Sequence, residues 1–227
     1  MSKRLSIRGL WEKRLQFPSL RRRPTFVDIE LTNRCNLRCR MCWFHGTHGI
    51  GDRYSTSEMM TGEIFSLINQ LAVYRPSIYI GGGEPLIRDD FVPIAECIKN
   101  FRLPMAFTTN GTLLHTEIIE SIVALGIENL NLSIDGPDDI HDTLRGPGVF
   151  RRVIDNLNEL LSMRRATGVK KPIITINVTI NPLVVGRLQE TIESIQDETR
   201  NQVDAFRIHH LWFITPTELK IHQDAVG

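Results

Sequence analysis

The chain has 227 residues, of which 41% are hydrophobic and 23% are charged, with a net charge of +1. This balance is ordinary for a globular protein, and one domain with a large core is expected. No window approaches 18 consecutive apolar residues, and the N-terminus lacks the apolar stretch of a secretory signal. The sequence therefore predicts neither a membrane span nor secretion, and favours a cytoplasmic protein.

Basic residues are concentrated in a leader at residues 1–24. This segment carries eight Lys or Arg residues against Glu12 alone, so the rest of the chain is mildly acidic. The leader is predicted either as a solvated extension that packs on the domain or as a short basic helix that contacts an anionic membrane surface or a protein partner. A mildly acidic body does not favour nucleic acid as a partner.

Strands and helices alternate along the remainder of the chain. Apolar periodicity predicts six strands, at 25–31, 77–80, 105–109, 129–134, 173–180 and 206–213, and five helices, at 61–74, 91–101, 116–125, 150–165 and 189–195. A long mobile loop is expected at 46–57. This alternation predicts an α/β fold with a parallel sheet, either open and doubly wound or curled into a barrel.

Three of the four cysteines lie in the loop after the first strand. Cys35, Cys39 and Cys42 follow the spacing C-x-x-x-C-x-x-C, so their thiolates can converge on one inorganic centre. A closed site normally takes four protein ligands. Either His45 supplies the fourth, which would make a structural zinc site, or a small molecule binds at an open metal position. Cys97 lies in an apolar helix and is expected to be an inert core thiol.

Four further turns follow predicted strands. They are G-G-G-E-P at 81–85, T-N-G at 109–111, S-I-D-G at 133–136 and the pair Asn181-Pro182. In parallel α/β folds ligands bind at the C-terminal ends of the strands, so these turns and the cysteine loop are expected on one rim. A shared rim favours the open metal position.

Each of these turns has a structural and a functional interpretation. The glycines permit positive φ, the Asp-Gly-Pro turn caps the next segment, and Arg145 is an ordinary surface arginine. Alternatively, Glu84 pairs with an ammonium group, Ser133 and Asp135 bind a diol such as ribose, and Arg145 binds a carboxylate. The sequence lacks the glycine and lysine patterns of a phosphate loop, which argues against a nucleotide-phosphate site.

Taken together, the cysteine motif, G-G-E-P, S-I-D-G and the run I-H-D-x-L-R-G-x-G-x-F resemble the radical S-adenosylmethionine (SAM) superfamily over residues 26–213. The closest likeness is to the subgroup that modifies peptides and matures cofactors, whose members often carry a C-terminal auxiliary-cluster (SPASM-type) domain. The resemblance implies a partial (β/α)6 TIM-like barrel with parallel strands at residues 25–215, followed by a short tail at 216–227. No cysteine follows Cys97, so an auxiliary-cluster domain is not expected. The chain is expected either to be truncated or to need a partner that completes the barrel.

The resemblance also implies the roles of individual residues. Cys35, Cys39 and Cys42 would bind three irons of a 4Fe-4S cluster, and SAM would bind the fourth. The implied SAM contacts are Gly82, Gly83 and Glu84 for the amino group, Ser133 and Asp135 for the ribose, Arg145 for the carboxylate, and the backbone around Trp43 and Phe44 for adenine. Asn110, Asn177 and Asn181 are expected to contact SAM or substrate. Met41 stands where the family more often has an aromatic residue.

The implied activity is reductive cleavage of SAM to a 5′-deoxyadenosyl radical that removes hydrogen from a substrate. An external one-electron donor such as flavodoxin or ferredoxin is implied, and the favoured substrates are a peptide or a small-molecule cofactor precursor. The competing prediction is a non-catalytic zinc-stapled α/β binding module. That module would leave Glu84, Ser133 and Arg145 unrelated in space.

Overall fold

The computed structural model describes residues 23–46 and 58–210, together with the helical positions 217, 220 and 224. Most of the predicted leader, most of the predicted mobile loop and the last three residues of the predicted sixth strand lie outside the described residues. The expected membrane or partner contact of the leader and the form of the C-terminal tail therefore stay predictions.

Six parallel strands form one sheet, in the order in which they occur along the chain. Every neighbouring pair is parallel, and among the described residues β1 and β6 are the edge strands. The strands are β1 Phe26–Glu30, β2 Ser77–Gly81, β3 Met105–Thr109, β4 Asn129–Ser133, β5 Ile173–Ile180 and β6 Ala205–His210. Within the described residues the strands follow one another in chain order and β1 does not pair with β6, so the predicted partial barrel is confirmed.

The crossovers between strands are helical. The helices are α1 Thr61–Ala72, α2 Phe91–Asn100, α3 Thr116–Ala124, α4 Asp138–Arg145, α5 Val149–Thr167, α6 Pro182–Val185 and α7 Leu188–Glu198, with one 3-10 turn at Pro85–Ile87. The five predicted helices correspond to α1, α2, α3, α5 and α7. Among the described helices, none has the length and apolarity needed to cross a membrane.

The two helices that were not predicted are short. In α4 three residues are buried, Ile140, His141 and Leu144, and the rest of the helix is polar, so it is short and has few apolar residues from which a helix could be predicted. The four residues of α6 begin at Pro182, and the side chain of Asn181 accepts a hydrogen bond from the N–H of Leu183 at their start. Both helices follow strand ends, where Pro residues had indicated only turns.

The sheet has one apolar and one polar face, because side chains alternate along each strand. Residues such as Ile80, Phe107 and Leu132 are completely buried and belong to the same core cluster as the buried sides of the helices. Burial of each such side chain contributes about 1.5–3 kcal/mol. The alternate positions, which face away from the helices, carry mainly polar side chains and form the inner face of the partial barrel.

Candidate functional site

A cavity of about 620 Å³ lies at the C-terminal ends of the strands. This volume is within the range of small-molecule and cofactor sites. Its wall includes Cys35, Cys39, Cys42, Trp43, Gly81, Gly82, Gly83, Asn110, Ser133, Arg145 and Thr179. The cysteine loop and the turns after β2, β3 and β4 therefore share one rim, as the sequence predicted.

Two glycines let the turn after β2 approach the cysteine loop closely. Gly82 has φ +124°, and a Cβ there would meet the carbonyl oxygen of Thr32 at 2.4 Å. At Gly83 a Cβ would meet the carbonyl oxygen of Arg34 at 2.2 Å. The N–H of Gly83 donates to the carbonyl oxygen of Thr32 across 2.8 Å. Because the backbones pack this tightly, a side chain at either position would separate the two loops.

The cysteine loop is also held from the opposite side. The N–H of Arg40 donates to the carbonyl oxygen of Leu144 in α4 across 2.7 Å. Asn36 connects the loop to the end of β3, since its Oδ1 accepts from Asn110 Nδ2 across 2.9 Å and its Nδ2 donates to Thr112 Oγ1 across 2.8 Å. Sequence reasoning missed Asn36, although it lies between the first two cysteines.

Each of the three cysteine sulfurs faces an N–H donor. Such donors stabilise thiolate ligands and tune iron-sulfur centres, so this environment suits metal-bound sulfur. The donor-to-sulfur pairs are the N–H of Leu37 to Cys35 at 3.5 Å, Nη1 of Arg145 to Cys39 at 3.9 Å and the N–H of His45 to Cys42 at 3.2 Å.

Burial raises the pKa of two of these thiols. The pKa of Cys39 is raised to about 11, although the nearby charge of Arg145 lowers it in part. The pKa of Cys35 is raised by burial as well, against the opposing hydrogen bond from Leu37. Both groups are therefore protonated thiols near neutral pH in the metal-free protein, and a bound metal must displace their protons.

The zinc-stapled module is not supported. Within residues 23–46 and 58–210, which include His45, no three His, Cys, Asp or Glu side chains are grouped as the ligands of one metal ion. An iron-sulfur cluster differs in this respect, because each thiolate binds a different iron. Moreover, Ser133 and Arg145 line the same cavity, and Arg145 is near enough to Glu84 for its charge to oppose the rise that burial causes in the pKa of that carboxyl group, so these residues are not unrelated in space.

Glu84 lies behind the cavity wall, with a completely buried side chain. Its Oε1 accepts from Thr109 Oγ1 across 2.8 Å and from the N–H of Leu86 across 3.1 Å, and its Oε2 accepts from the N–H of Asn110 across 2.7 Å. Burial raises the pKa of this carboxyl group despite these donors. Glu84 thus fixes the turns after β2 and β3, and its predicted contact with a ligand stays a prediction.

Asp135 is likewise buried behind the wall. Its Oδ2 accepts from Nε of Arg145 across 2.7 Å, and its Oδ1 accepts from the N–H of Thr179 across 2.7 Å. Arg145 itself lines the cavity, and its pKa is raised by Asp135 and Cys39 against the opposing effect of burial. Asp135 is completely buried and is not among the residues that line the cavity, whereas Ser133, two residues earlier, lies in the wall. The ribose contact of Asp135 stays a prediction.

His141 is a further buried residue near this ion pair. Its Nδ1 lies 3.2 Å from the N–H of Asp135, so it accepts that hydrogen bond as a neutral ring. Burial lowers the pKa of His141 to about 3, which keeps the ring neutral at physiological pH. Sequence reasoning included His141 only as part of the I-H-D motif, because the helix that carries it was not predicted.

Of the remaining residues that the sequence singled out, some lie on the wall and others do not. Trp43 is 61% exposed beside the cavity, and Asn110 lies at the end of β3. Met41, at the position where an aromatic residue was expected, is buried in the core and also contributes to the wall. The predicted Asn177 and Asn181 are buried residues in β5 and immediately after it, and they are not among the cavity-lining residues.

Comparison with known proteins gives consistent results. The sequence model of the radical SAM superfamily matches residues 29–195. The AdoMet-dependent heme synthase of Methanosarcina barkeri is 31% identical over 207 residues, which are 90% of this chain and 54% of the synthase. The mycofactocin maturase MftC of Mycobacterium tuberculosis is 29% identical over 168 residues, which are 74% of this chain and 40% of the maturase.

Among solved structures, Streptococcus suis SuiB bound to S-adenosylmethionine matches with a TM-score of 0.69 and 18% identity, over 96% of this chain and 52% of SuiB. At this identity the likeness shows the fold. The chain spans about half the length of the curated relatives it matches.

Proposed function

Because the chain belongs to the radical SAM superfamily, we propose that it is an enzyme that holds a 4Fe-4S cluster through Cys35, Cys39 and Cys42 and cleaves SAM reductively. The family uses a cluster with three cysteine ligands together with SAM. One observation carries the proposal: all three cysteines line the same cavity as the glycine turn, Ser133 and Arg145.

The donor set fits such a cluster. Three soft thiol ligands leave one iron open, and the N–H group that faces each sulfur stabilises the thiolate charge. When bound, the reduced cluster supplies the electron for reductive cleavage of SAM, and the resulting 5′-deoxyadenosyl radical removes a hydrogen atom from the substrate. The tasks left to the protein are to bind, to orient and to exclude water.

The cavity wall supplies groups that suit each part of SAM. The backbone at Gly82 and Gly83 has no side chain between it and a bound ligand, so its polar groups can meet the amino group. The guanidinium of Arg145 attracts the carboxylate, and the hydroxyl of Ser133 can bond the ribose. The exposed ring of Trp43 offers an aromatic surface to adenine.

Glu84 and Asp135 act in this proposal mainly by orienting other groups. Asp135 holds the guanidinium of Arg145 against the cavity. Glu84 fixes the turns that carry Gly83 and Asn110. Oε2 of Glu84 accepts a single protein hydrogen bond, so it keeps one acceptor site that a direct contact with the amino group of SAM would use.

For the substrate, we propose a peptide or a cofactor precursor. Support comes from the relatives, whose names describe heme synthesis and mycofactocin maturation. An external one-electron donor such as flavodoxin or ferredoxin, and a cytoplasmic location, complete the proposal.

Anaerobic reconstitution tests the function. The protein is loaded with iron and sulfide, and its visible and paramagnetic resonance spectra are recorded with and without SAM. We expect a cluster whose signal changes with SAM, and 5′-deoxyadenosine after reduction. A signal that ignores SAM, together with one zinc ion copurifying per chain, would contradict the proposal.

Two variants sharpen this test. Cys39→Ala removes a ligand, so cluster binding and 5′-deoxyadenosine should both be lost. His45→Ala keeps the backbone N–H that faces Cys42, so it should behave like the unmodified protein. Loss of metal in the His45 variant would instead indicate that the imidazole is a ligand.

A further inference from the structure

The inner face of the sheet continues from the cavity toward the N-terminal ends of the strands. Parallel register and side-chain alternation place its residues on one surface. Its polar side chains include Asp28 and Glu30 on β1, Tyr79 on β2, Thr108 on β3, Asn131 and Ser133 on β4, Thr175, Asn177 and Thr179 on β5, and Arg207 and His209 on β6. Of these, Glu30, Tyr79, Thr108, Ser133 and Thr179 also line the cavity.

Asn177 lies in the middle of this face with an unsatisfied acceptor. The residue is 8% exposed, and its Oδ1 has no hydrogen-bond partner among the described residues. Asn177 pairs in register with Ser133, and Thr179 is the next residue of β5 on the same face. Because a buried carbonyl oxygen without a donor is unfavourable, this position suits an N–H or O–H group of a ligand.

A cation lies beside Asn177. Arg207 pairs with Asn177 in register, and its Nη1 reaches across β5 to donate to Asn131 Oδ1 at 3.3 Å. That contact places the guanidinium over the inner face. In the part of the chain that the structure describes, no carboxylate forms an ion pair with it. Nearby, Nε2 of His209 is buried without a partner in the same described part.

The opposite edge of the inner face is acidic. Asp28 is in register with Tyr79, and Glu30 is turned over β2, since a Cβ at Gly81 would meet its Oε1 at 3.0 Å. Burial raises the pKa of both carboxyl groups, and the charge of Asp28 raises that of Glu30 further. These groups favour a cation or an N–H donor and repel a second acid.

We propose that the inner face binds a substrate that carries both an acidic and a basic group, as an amino acid or a peptide segment does. The carboxylate lies at Arg207, an N–H donates to Asn177, and the amino end faces Asp28 and Glu30. This inference rests on the proposed function, because it names the substrate class of the same site. A substrate with several acid groups and no basic group is disfavoured by the acidic edge.

Matched probes test this arrangement. Binding to the reconstituted protein with SAM is measured by anaerobic calorimetry for phenylalanine, N-acetylphenylalanine and phenylalaninamide, and again for the dipeptide glycylphenylalanine and its amide. The probes with both charges should bind most tightly. Arg207→Gln should weaken the carboxylate-bearing probes by about tenfold or more and leave the amides unchanged, since charge-assisted hydrogen bonds are the ones removed. Arg207→Lys should retain most of the affinity.

The control is Arg152→Gln, on the exposed side of α5, which should change none of these affinities. Any of three results would overturn the inference. No zwitterionic probe binds, the protein shows no preference for probes with a carboxylate, or the control variant loses as much affinity as Arg207→Gln does. The spectral response of the cluster to SAM is recorded in the same samples. If that response is normal while the preference is absent, the inference fails and the proposed function stands, whereas a missing response in the unmodified protein contradicts the proposed function itself.

Discussion

Nε of Arg145 donates to Oδ2 of Asp135 across 2.7 Å, in an ion pair whose carboxylate is completely buried and whose guanidinium side chain is 10% exposed. The second carboxylate oxygen accepts the N–H of Thr179. The pair therefore joins α4 to β5, and it holds a cation at the wall beside Cys39. Removal of one partner leaves the other charge buried without compensation.

We expect Asp135→Asn to lower the free energy of unfolding of the cluster-free protein by roughly 3 kcal/mol, because the Arg145 cation loses its partner. Urea denaturation at pH 7 measures the change. The exposed Asp138, in the first turn of α4, provides the control, and Asp138→Asn should cost less than about 1 kcal/mol. Equal losses in the two variants would mean that the buried pair contributes no special stability.

Gly83→Ala should reduce the iron content of the reconstituted protein. The added Cβ would lie 2.2 Å from the carbonyl oxygen of Arg34, so the cysteine loop must move away from the turn after β2. Iron and sulfide per chain, and the rate of cluster loss to a chelator, measure the effect.

Gly62→Ala is the matched control for that substitution. A Cβ at Gly62, in the first turn of α1, would meet nothing within 4 Å. Alanine is also the better helix former, so this variant should keep its iron and gain up to about 1 kcal/mol of stability. If both alanine variants lose iron equally, close packing at Gly83 is not the cause.

Asn36→Ala should speed the loss of the cluster to a chelator without preventing its assembly. The substitution removes two hydrogen bonds, to Asn110 and Thr112, that connect the cysteine loop to the end of β3, while all three thiols remain. Asn100→Ala, at the exposed end of α2, should leave the rate unchanged. An unaltered rate in the Asn36 variant would show that the other loop contacts suffice.

Asp90 should make a pH-dependent contribution to stability. Hydrogen bonds from Arg88 lower the pKa of its carboxyl group from 3.8 to about 2, against the opposing effect of burial. Because the folded-state pKa is the lower one, the stabilisation is complete above about pH 4 and is lost as pH falls through about 2.

Asp90→Asn should therefore cost roughly 2 kcal/mol at pH 7 and progressively less below pH 4. Urea denaturation of the cluster-free protein across this range measures the difference between the variant and the unmodified chain. The exposed neighbour Asp89 is the control, and Asp89→Asn should have only a small effect at pH 7. A difference for Asp90→Asn that persists to the lowest pH would contradict the assignment.

The elements that sequence reasoning predicted well are those with strong alternation or periodicity. The strands Met105–Thr109 and Ile173–Ile180 have the predicted bounds, because both have a polar inner face and an apolar outer face. Helix α4 was missed because its eight residues are mostly polar. Its position nevertheless decides where Arg145 lies.

Within the site, the sequence predicted which residues share a rim but not which ones face the cavity. Glu84 accepts hydrogen bonds from its own turn and from the end of β3. The donor Thr109, at the end of β3, lies 25 residues away along the chain. Such pairings depend on how the side chains pack, and the spacing of motifs along the sequence does not reveal that packing. The same applies to Asn36, whose partners are more than 70 residues away.

The contact between Arg145 and Cys39 spans 106 residues of sequence. At a translation rate of about 5–20 residues per second, the ribosome releases the cysteine loop roughly 5–20 s before the arginine that faces it. During that interval the thiols have neither the β4 end nor α4 beside them. The cellular machinery that delivers iron and sulfide therefore meets Arg145 beside Cys39 only after the chain has been synthesised beyond the fourth strand.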